Sequence, residues 1–288
     1  MTGSVRRRPG SGRLLLVGLA LVLVAGCAAG DDRPEAVGAE ATAAADTTGS
    51  LSGDELAAAE RIAGRYAHYD VVAYEGSGMK TLIISYGFTD LDVVDGRLVE
   101  QETFCSADHR SDQPISVRFS DAATQAIRPV PVDAELSVED GRARVVRPAT
   151  PTGIGVDLAD PVNDPLPTDP ADPRVRDDDG DGRPGVTATI SAAGGAVTGE
   201  LYLARREIFA YDLAEQSDGT LTGVVRDDSE QLVVGASNEV FRTPAQWDQH
   251  PDLTRSPIVL VRVGRDWDCD RLMAERPTLL PPVPTIDW

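Results

Sequence analysis

Along most of the chain, hydrophobic and polar residues alternate with a period of two, which is typical of β-strands that bury one face. From about residue 69 onward, short runs rich in β-branched and aromatic residues recur, separated by Gly, Asp and Ser. Two Asp-Gly pairs, at 95–96 and 140–141, lie between such runs and predict tight hairpin turns. The regular helix–strand alternation of a parallel sheet is absent. The pattern therefore predicts a mainly β fold, an antiparallel barrel or sandwich.

Two segments have a helical rather than a strand-like pattern. Ser52 and Glu55 have the spacing of a capping box at a helix N-terminus. The apolar residues that follow recur at helical intervals, which predicts one N-terminal amphipathic helix over 53–67; they are Leu56, Ala59, Ile62, Ala63 and Tyr66. Near the C-terminus, residues 269–276 predict a short helix, followed by an extended tail.

Residues 148–185 interrupt the strand pattern with a long Asp- and Pro-rich segment. Its first part, 148–173, contains Asp-Pro four times. Because proline lacks a backbone N–H group and favours extended conformations, we predict a rigid irregular loop there rather than part of a sheet. Long loops of this kind are usually functional or disordered.

The N-terminus has the organisation of a bacterial signal peptide. Four arginines without any acidic residue precede an apolar run of 13 residues, which is too short for a stable membrane span. Val24-Ala25-Gly26-Cys27 then resembles the lipobox of bacterial lipoproteins. The resemblance implies a signal peptide over 1–26, cleavage before Cys27 and acylation of its thiol and new amino group. These acyl chains would anchor the protein at the extracytoplasmic face of the cell membrane.

Downstream of Cys27, residues 27–51 are small, polar and aperiodic, and predict a flexible tether. Residues 52–288 are then expected to form a single β-rich extracytoplasmic domain.

The chain has three cysteines, so lipidation of Cys27 leaves an even pair, Cys105 and Cys269. In an oxidising compartment such a pair is expected to form a disulfide. His109 lies four residues after Cys105, and a Cys/His nucleophilic pair is the alternative, but no third orienting group is in view.

The formal net charge is −20, and removal of the arginine-rich signal would make it more negative. This charge excludes nucleic acid as a partner and favours a cation or a cationic protein partner.

Asp177, Asp179 and Asp181 alternate and are followed by Gly182, which is the D-x-D-x-D-G pattern of the first half of an EF-hand loop. Alternate residues of a tight turn can bring three carboxylates to one centre, and the bend at Gly182 brings the backbone carbonyl of Arg183 towards it. We expect this loop to bind calcium, which accepts six to eight oxygen ligands at flexible angles.

The position of the bidentate glutamate in an EF-hand is occupied here by Ala188, and a predicted strand replaces the second helix. The motif therefore resembles the helix-less calcium loops of thrombospondin type 3 repeats and dockerins. The remaining ligands would come from the preceding loop, with Asp164, Asp169 and Asp172 as candidates. The wider stretch around the motif also resembles secreted bacterial proteins of uncharacterised function, which implies a shared β domain and no activity.

No recognisable catalytic combination is present in the sequence. His68, His109 and His250 lie in unrelated contexts and are predicted to be surface or capping residues. Arg205 and Arg206 lie in a strong strand pattern and should face opposite sides. One of them would point inward and pair with an acid, as a structural ion pair or an anion site.

These features favour a non-enzymatic, membrane-tethered lipoprotein whose calcium-stabilised β domain is a binding or structural module. The alternative is a β-barrel carrier of an apolar ligand, similar to lipocalins, which would have a large apolar cavity. The third possibility is a hydrolase with dispersed catalytic residues, which would have a buried His–carboxylate–Ser cluster.

Overall fold

A computed structural model describes residues 50–76, 78–242 and 247–288. The predicted signal peptide, Cys27 and nearly all of the tether lie outside these residues. The fold is mainly β: 53% of the described residues lie in strands, and they also form three α-helices. The helices are α1 (Gly53–Ile62), α2 (Asp121–Gln125) and α3 (Cys269–Leu279). The strands are β1 (Gly64–Gly76), β2 (Met79–Val94), β3 (Arg97–Ser111), β4 (Ile115–Phe119), β5 (Val132–Glu139), β6 (Arg142–Ile154), β7 (Val186–Ala192), β8 (Val197–Glu215), β9 (Leu221–Asp227), β10 (Glu230–Ala236), β11 (Asp248–Gln249) and β12 (Pro257–Val263).

Eight of the strands form a closed ring of antiparallel pairs, in the order β8-β6-β5-β3-β2-β1-β12-β9, and β9 pairs with β8 again. The long strand β8 has two roles. Its C-terminal half belongs to the ring, and its N-terminal half pairs with β7 and β10 outside it. The predicted mainly β, antiparallel fold is therefore confirmed.

The two predicted Asp-Gly hairpins are also confirmed. Asp95 and Gly96 join β2 to β3 with φ angles of 51° and 74°. Asp140 and Gly141 join β5 to β6 with φ angles of 50° and 77°. Positive φ at both central residues matches the right-handed twist of the flanking strands, which fixes the register of each hairpin.

The two faces of β1 are buried in different ways. Even-numbered residues such as Tyr66 and Val72 point into the ring, where helix α1 packs on one end with Ala59 and Ile62. Odd-numbered residues such as Tyr69 and Val71 point outward and are covered by α3 and the C-terminal tail. Both faces are therefore parts of hydrophobic cores, and few positions of β1 contact solvent.

The predicted disulfide joins β3 to α3. The register of β3 against β2 shifts between Tyr86 and Gly87, so Cys105 has no paired residue on β2. Cys105 is bonded to Cys269 at a Cα–Cα distance of 5.3 Å, across a sequence separation of 164 residues. The bond fastens the C-terminal segment over the outer face of β1 and β2.

Helix α1 ends at Ile62, so the prediction of a helix to residue 67 is wrong at its C-terminal end. Ala63 is extended, with φ −56° and ψ 133°, and β1 begins at the next residue. From Gly64 onward β1 pairs with β2 on one side and from Arg65 with β12 on the other. Pairing on both sides outweighs the helical spacing of Ala63 and Tyr66, since intrinsic helix preference is weak.

The prediction that the irregular loop begins at 148 is also wrong, because β6 extends to Ile154. Its register against β8 shifts between Arg147 and Thr150, which accommodates Pro148, and Pro151 pairs with Ile208. The pairing of β6 with β5 stops at Val146, so the prolines lie where β6 has a neighbour on one side only. A missing N–H group is tolerated at such an edge.

Candidate functional site

The acidic loop follows β6 and contains the three aspartates of the sequence motif. One carboxylate oxygen from each of Asp177, Asp179 and Asp181 lies within 4.8 Å of the others, and this is the one group of potential metal ligands found among the described residues. The three side chains that the sequence singled out are therefore brought together.

Local hydrogen bonds fold this loop. The Asp177 carboxylate accepts the backbone N–H groups of Asp181 (3.0 Å) and Gly182 (2.9 Å). The Asp181 carboxylate accepts the N–H group of Arg183 at 2.8 Å. Gly182 has a φ of +82°, in the left-handed region that favours glycine. The bend predicted at Gly182 is thus present, and it turns the chain around the Asp177 carboxylate.

Two further contacts hold the loop against the sheet. The Asp178 carboxylate turns away from the cluster and accepts the N–H group of Gly155 at 2.6 Å, just after β6. Gly185 packs so closely on β8 that a Cβ atom there would lie 2.2 Å from the Leu203 carbonyl oxygen. The acidic cluster is therefore attached to β6 and β8.

Asp179 is the central and most buried of the three aspartates. Its Oδ2 accepts the N–H group of Thr187 at 2.9 Å, whereas its buried Oδ1 has no hydrogen-bond partner within the described part of the chain. Burial raises the pKa of Asp179, and the neighbouring Asp181 and Asp177 charges raise it further. A buried carboxylate oxygen beside two other carboxylates fits a hard cation such as calcium, which takes all its ligands from oxygen.

The three candidates for additional ligands do not join this cluster. Asp172 binds Arg174 through both carboxylate oxygens, and this contact lowers the pKa of Asp172 to about 2. Asp169 accepts the N–H group of Ala171, and Asp164 that of Asp160. The structure therefore does not bring a fourth carboxylate from the Asp-Pro loop to the cluster, and these side chains stabilise turns of their own. The role of the Arg183 carbonyl stays a prediction.

A second polar region, which the sequence did not predict, lies inside the ring. His68 is 1% exposed; its Nδ1 lies 2.8 Å from Thr89 Oγ1 and its Nε2 lies 2.9 Å from Asp70 Oδ2. The prediction of a surface or capping histidine is therefore wrong for His68. Burial lowers the pKa of His68, but the hydrogen bond and charge of Asp70 and the charge of Glu102 outweigh burial, so the pKa is raised.

The other two histidines behave differently. His250 Nδ1 accepts the N–H group of Asp252 at 3.1 Å, as expected of a capping residue. His109 is partly buried on β3, and burial lowers its pKa. Since Cys105 is in the disulfide, the alternative of a Cys105–His109 nucleophilic pair is contradicted.

Arg147 is buried inside the ring between two glutamates. Its guanidinium lies 2.9 Å from a Glu100 oxygen and 3.3 Å from a Glu102 oxygen, and it donates to the carbonyl of Phe209. All three charged side chains are nearly inaccessible to solvent. Burial, together with the neighbouring Glu100 charge, raises the pKa of Glu102 to about 8.

Arg205 and Arg206 point to opposite sides of β8, as predicted. Arg205 points into the ring, 3.8 Å from an Asp227 oxygen. Arg206 points outward, pairs with Glu230 and donates to backbone carbonyls of the Asp-Pro loop, including that of Asp164 at 2.8 Å. The sequence left open whether the inward arginine forms a structural ion pair or an anion site. The contact of Arg205 with Asp227 is an ion pair.

We refer to the ionisable groups inside the ring as the charged layer; they are His68, Asp70, Glu100, Glu102, Arg147, Arg205, Glu207 and Asp227. These residues come from strands β1, β3, β6, β8 and β9.

His68, Asp70 and Thr89 have the residue types of a nucleophile–base–carboxylate set, but Thr89 is 0% exposed. A substrate therefore has no access to the Thr89 hydroxyl in this structure.

Fold and sites together define an antiparallel β protein with a closed eight-strand ring, a charged interior and an acidic surface loop. Comparison with family models, curated proteins and solved structures finds no match to the chain. Within the described ranges, no helix is both long enough and apolar enough to cross a membrane.

Proposed function

We propose that this protein is a non-enzymatic lipoprotein, tethered to the extracytoplasmic face of the membrane through Cys27, whose β domain is a binding or structural module. The observation that carries the proposal is the Cys105–Cys269 disulfide. It accounts for two of the three cysteines and leaves Cys27, at the lipobox position, as the odd one. Disulfides persist in oxidising compartments, which agrees with export.

We further propose that the acidic loop is a calcium clip. Asp177, Asp179 and Asp181 would hold the ion with their carboxylates, and the carbonyl of Arg183 would add a fourth ligand. Calcium would supply positive charge at the point where three carboxylates converge and the Asp179 Oδ1 atom is otherwise unpartnered among the described residues. The clip would stiffen the loop where it contacts β6 and β8, and it would present an acidic surface suited to a cationic partner.

The interior of the ring favours this module over an apolar-ligand carrier. Five carboxylates and two arginines face the interior together with His68, so an apolar ligand there would lie against charged groups without replacing their hydrogen bonds. The His68–Asp70–Thr89 set supports the hydrolase hypothesis. That hypothesis also requires the ring to open so that a substrate can reach the Thr89 hydroxyl.

Substitution Cys27→Ser is expected to block lipidation and to move the mature protein from the membrane to the soluble fraction, because the acyl chains would supply the anchor. Fractionation, together with mass analysis of the N-terminal peptide, measures both effects. Cys105→Ser is the matched control and should leave the protein on the membrane. Membrane retention of the Cys27→Ser variant, with no added N-terminal mass on the wild type, would contradict the anchor.

Calcium is expected to raise the melting temperature of the wild type modestly, and a chelator should reverse the rise. Without a bidentate glutamate the dissociation constant should be about 10⁻⁴–10⁻³ M. Calcium at ten times that constant would stabilise the fold by about 1.4 kcal/mol, or roughly 3–6 °C. Asp179→Ala should abolish the rise because it removes the central carboxylate.

Asp169→Ala is the control for that experiment, since Asp169 lies in the same segment but outside the cluster. It should preserve the calcium response. Identical melting of the wild type with millimolar calcium and with chelator would show that the loop is a solvated acidic turn.

A further inference from the structure

The position of Glu102 in the charged layer is unusual, because ionisable groups approach it from several strands. His68 and Asp70 face it from β1, with the His68 Nδ1 atom 3.9 Å from Glu102 Oε1. Glu100 lies on the same strand, and Arg147 faces it from β6 at 3.3 Å. The remaining members of the layer are Arg205 and Glu207 on β8 and Asp227 on β9, and the buried Tyr211 of β8 lies beside Glu100 and Glu102.

The layer contains more acidic than basic groups. Its five carboxylates face two arginines and one histidine, so full ionisation would leave a net negative charge even with His68 protonated. Burial of an unpaired charge is costly, and a carboxyl group in that position takes up a proton instead. At least one carboxyl of the layer is therefore expected to be neutral.

Geometry identifies Glu102 as the group that holds the proton. Arg147 is shared between Glu100 and Glu102, and the contact to Glu100 is the shorter, at 2.9 Å against 3.3 Å. Glu102, Glu100 and Asp70 each have one buried carboxylate oxygen without a hydrogen-bond partner among the described residues. The other oxygen of Glu100 and of Asp70 has a close contact at 2.9 Å, to Arg147 and His68 respectively, so Glu102 is the least well paired of the three.

We propose that the charged layer is a proton-dependent lock, in which the neutral carboxyl of Glu102 keeps the eight-strand ring tightly closed and its ionisation in mild alkali loosens the strands around it. Ionised Glu102 would repel Glu100 and Asp70, which are also buried, and buried charges are weakly screened. Water would then have to enter the ring between β1, β3 and β6 to solvate the new charge.

The sign of the pH dependence follows from the direction of the pKa shifts. Burial raises the folded-state pKa of Glu102 to about 8, above its unfolded value, so its contribution to stability is complete below the unfolded pKa and lost as pH rises through about 8. The raised pKa of His68 acts in the same direction. Glu102 alone should raise the unfolding equilibrium constant by about tenfold per pH unit between about pH 5 and 8.

The test is urea unfolding of the wild type, Glu102→Gln and Glu135→Gln between pH 5.5 and 8.5, with chelator present throughout so that calcium binding to the acidic loop does not contribute. Glutamine mimics the neutral carboxyl, so Glu102→Gln should flatten the pH dependence. Glu135 is an exposed residue of β5, and its variant should keep the wild-type slope. A wild type with no slope, or a Glu102→Gln variant with an unchanged slope, overturns the proposal.

A second measurement does not depend on the folding of the variant. Carboxyl ¹³C NMR of wild-type protein labelled at glutamate should show one resonance that titrates near pH 8, together with faster amide hydrogen exchange in β1, β3 and β6 above that pH. Titration of every glutamate below about pH 5.5 overturns the proposal.

Discussion

Replacement of Arg147 by methionine is expected to lower the free energy of unfolding by about 3–5 kcal/mol, because removal of one partner leaves buried charge uncompensated. Arg147 is 1% exposed and contacts Glu100, Glu102 and the Phe209 carbonyl, so no water can take its place without entry into the ring. Methionine keeps most of the side-chain volume, and the loss therefore reports charge rather than a cavity. Urea unfolding at pH 7 measures it.

Arg144→Met is the matched control on the same strand. Arg144 pairs with Asp212 and Glu139, but it is 45% exposed, and exposed ion pairs contribute about 0–1 kcal/mol. The triple variant Arg147→Met, Glu100→Gln, Glu102→Gln should recover much of the loss, since it removes the charge left on Glu100 and keeps a neutral group at position 102. Equal losses for Arg147→Met and Arg144→Met would mean that the buried layer does not exist as described.

Removal of the disulfide by Cys105→Ala and Cys269→Ala is expected to cost up to about 4–5 kcal/mol, because the bond restricts the unfolded chain across a very long loop. Its sequence separation is 164 residues. In the folded state, loss of the disulfide would release α3 and the C-terminal tail from the outer face of β1 and β2. The near-ultraviolet circular dichroism signals of Trp267 and Trp288 should therefore change in the double variant.

Thermal unfolding with and without reductant tests this effect. Reductant should lower the melting temperature of the wild type and leave that of the double variant unchanged. The double variant thus controls for effects of the reductant that do not involve the disulfide. Non-reducing peptide mapping should find the cross-linked pair. Two thiols that are free in the native protein would contradict the disulfide.

The local features of the fold were predictable because their causes are local. Asp95-Gly96 and Asp140-Gly141 specify their turns through backbone conformation, and the odd number of cysteines pointed to the Cys105–Cys269 pair. Alternation along β8 was enough to place Arg205 and Arg206 on opposite sides. The bend of the acidic loop also followed from a few adjacent residues.

The charged layer was not predictable, because its members are far apart in the chain. Glu100 meets Arg147 only after β3 and β6 have taken their places in the ring, and His68 acquires a partner at Thr89 through the β1–β2 pairing. From the sequence alone, a histidine or an arginine in a strand pattern is equally compatible with a solvent-exposed position and with a buried one. The same reason explains the error at Tyr66, whose environment is set by β12, almost 200 residues later.

The position of β12 between β1 and β9 has a consequence for the order in which the domain can form. The first strand of the ring is completed by residues 257–263, near the end of the chain, so a chain emerging from its N-terminus has an open edge at β1 until that stretch arrives. Pairings between distant segments make for slow folding, and unpaired edges favour aggregation. A chain truncated before Pro257 is therefore expected to depend on chaperones and to be a target for proteases, although more than four fifths of its sequence would be intact.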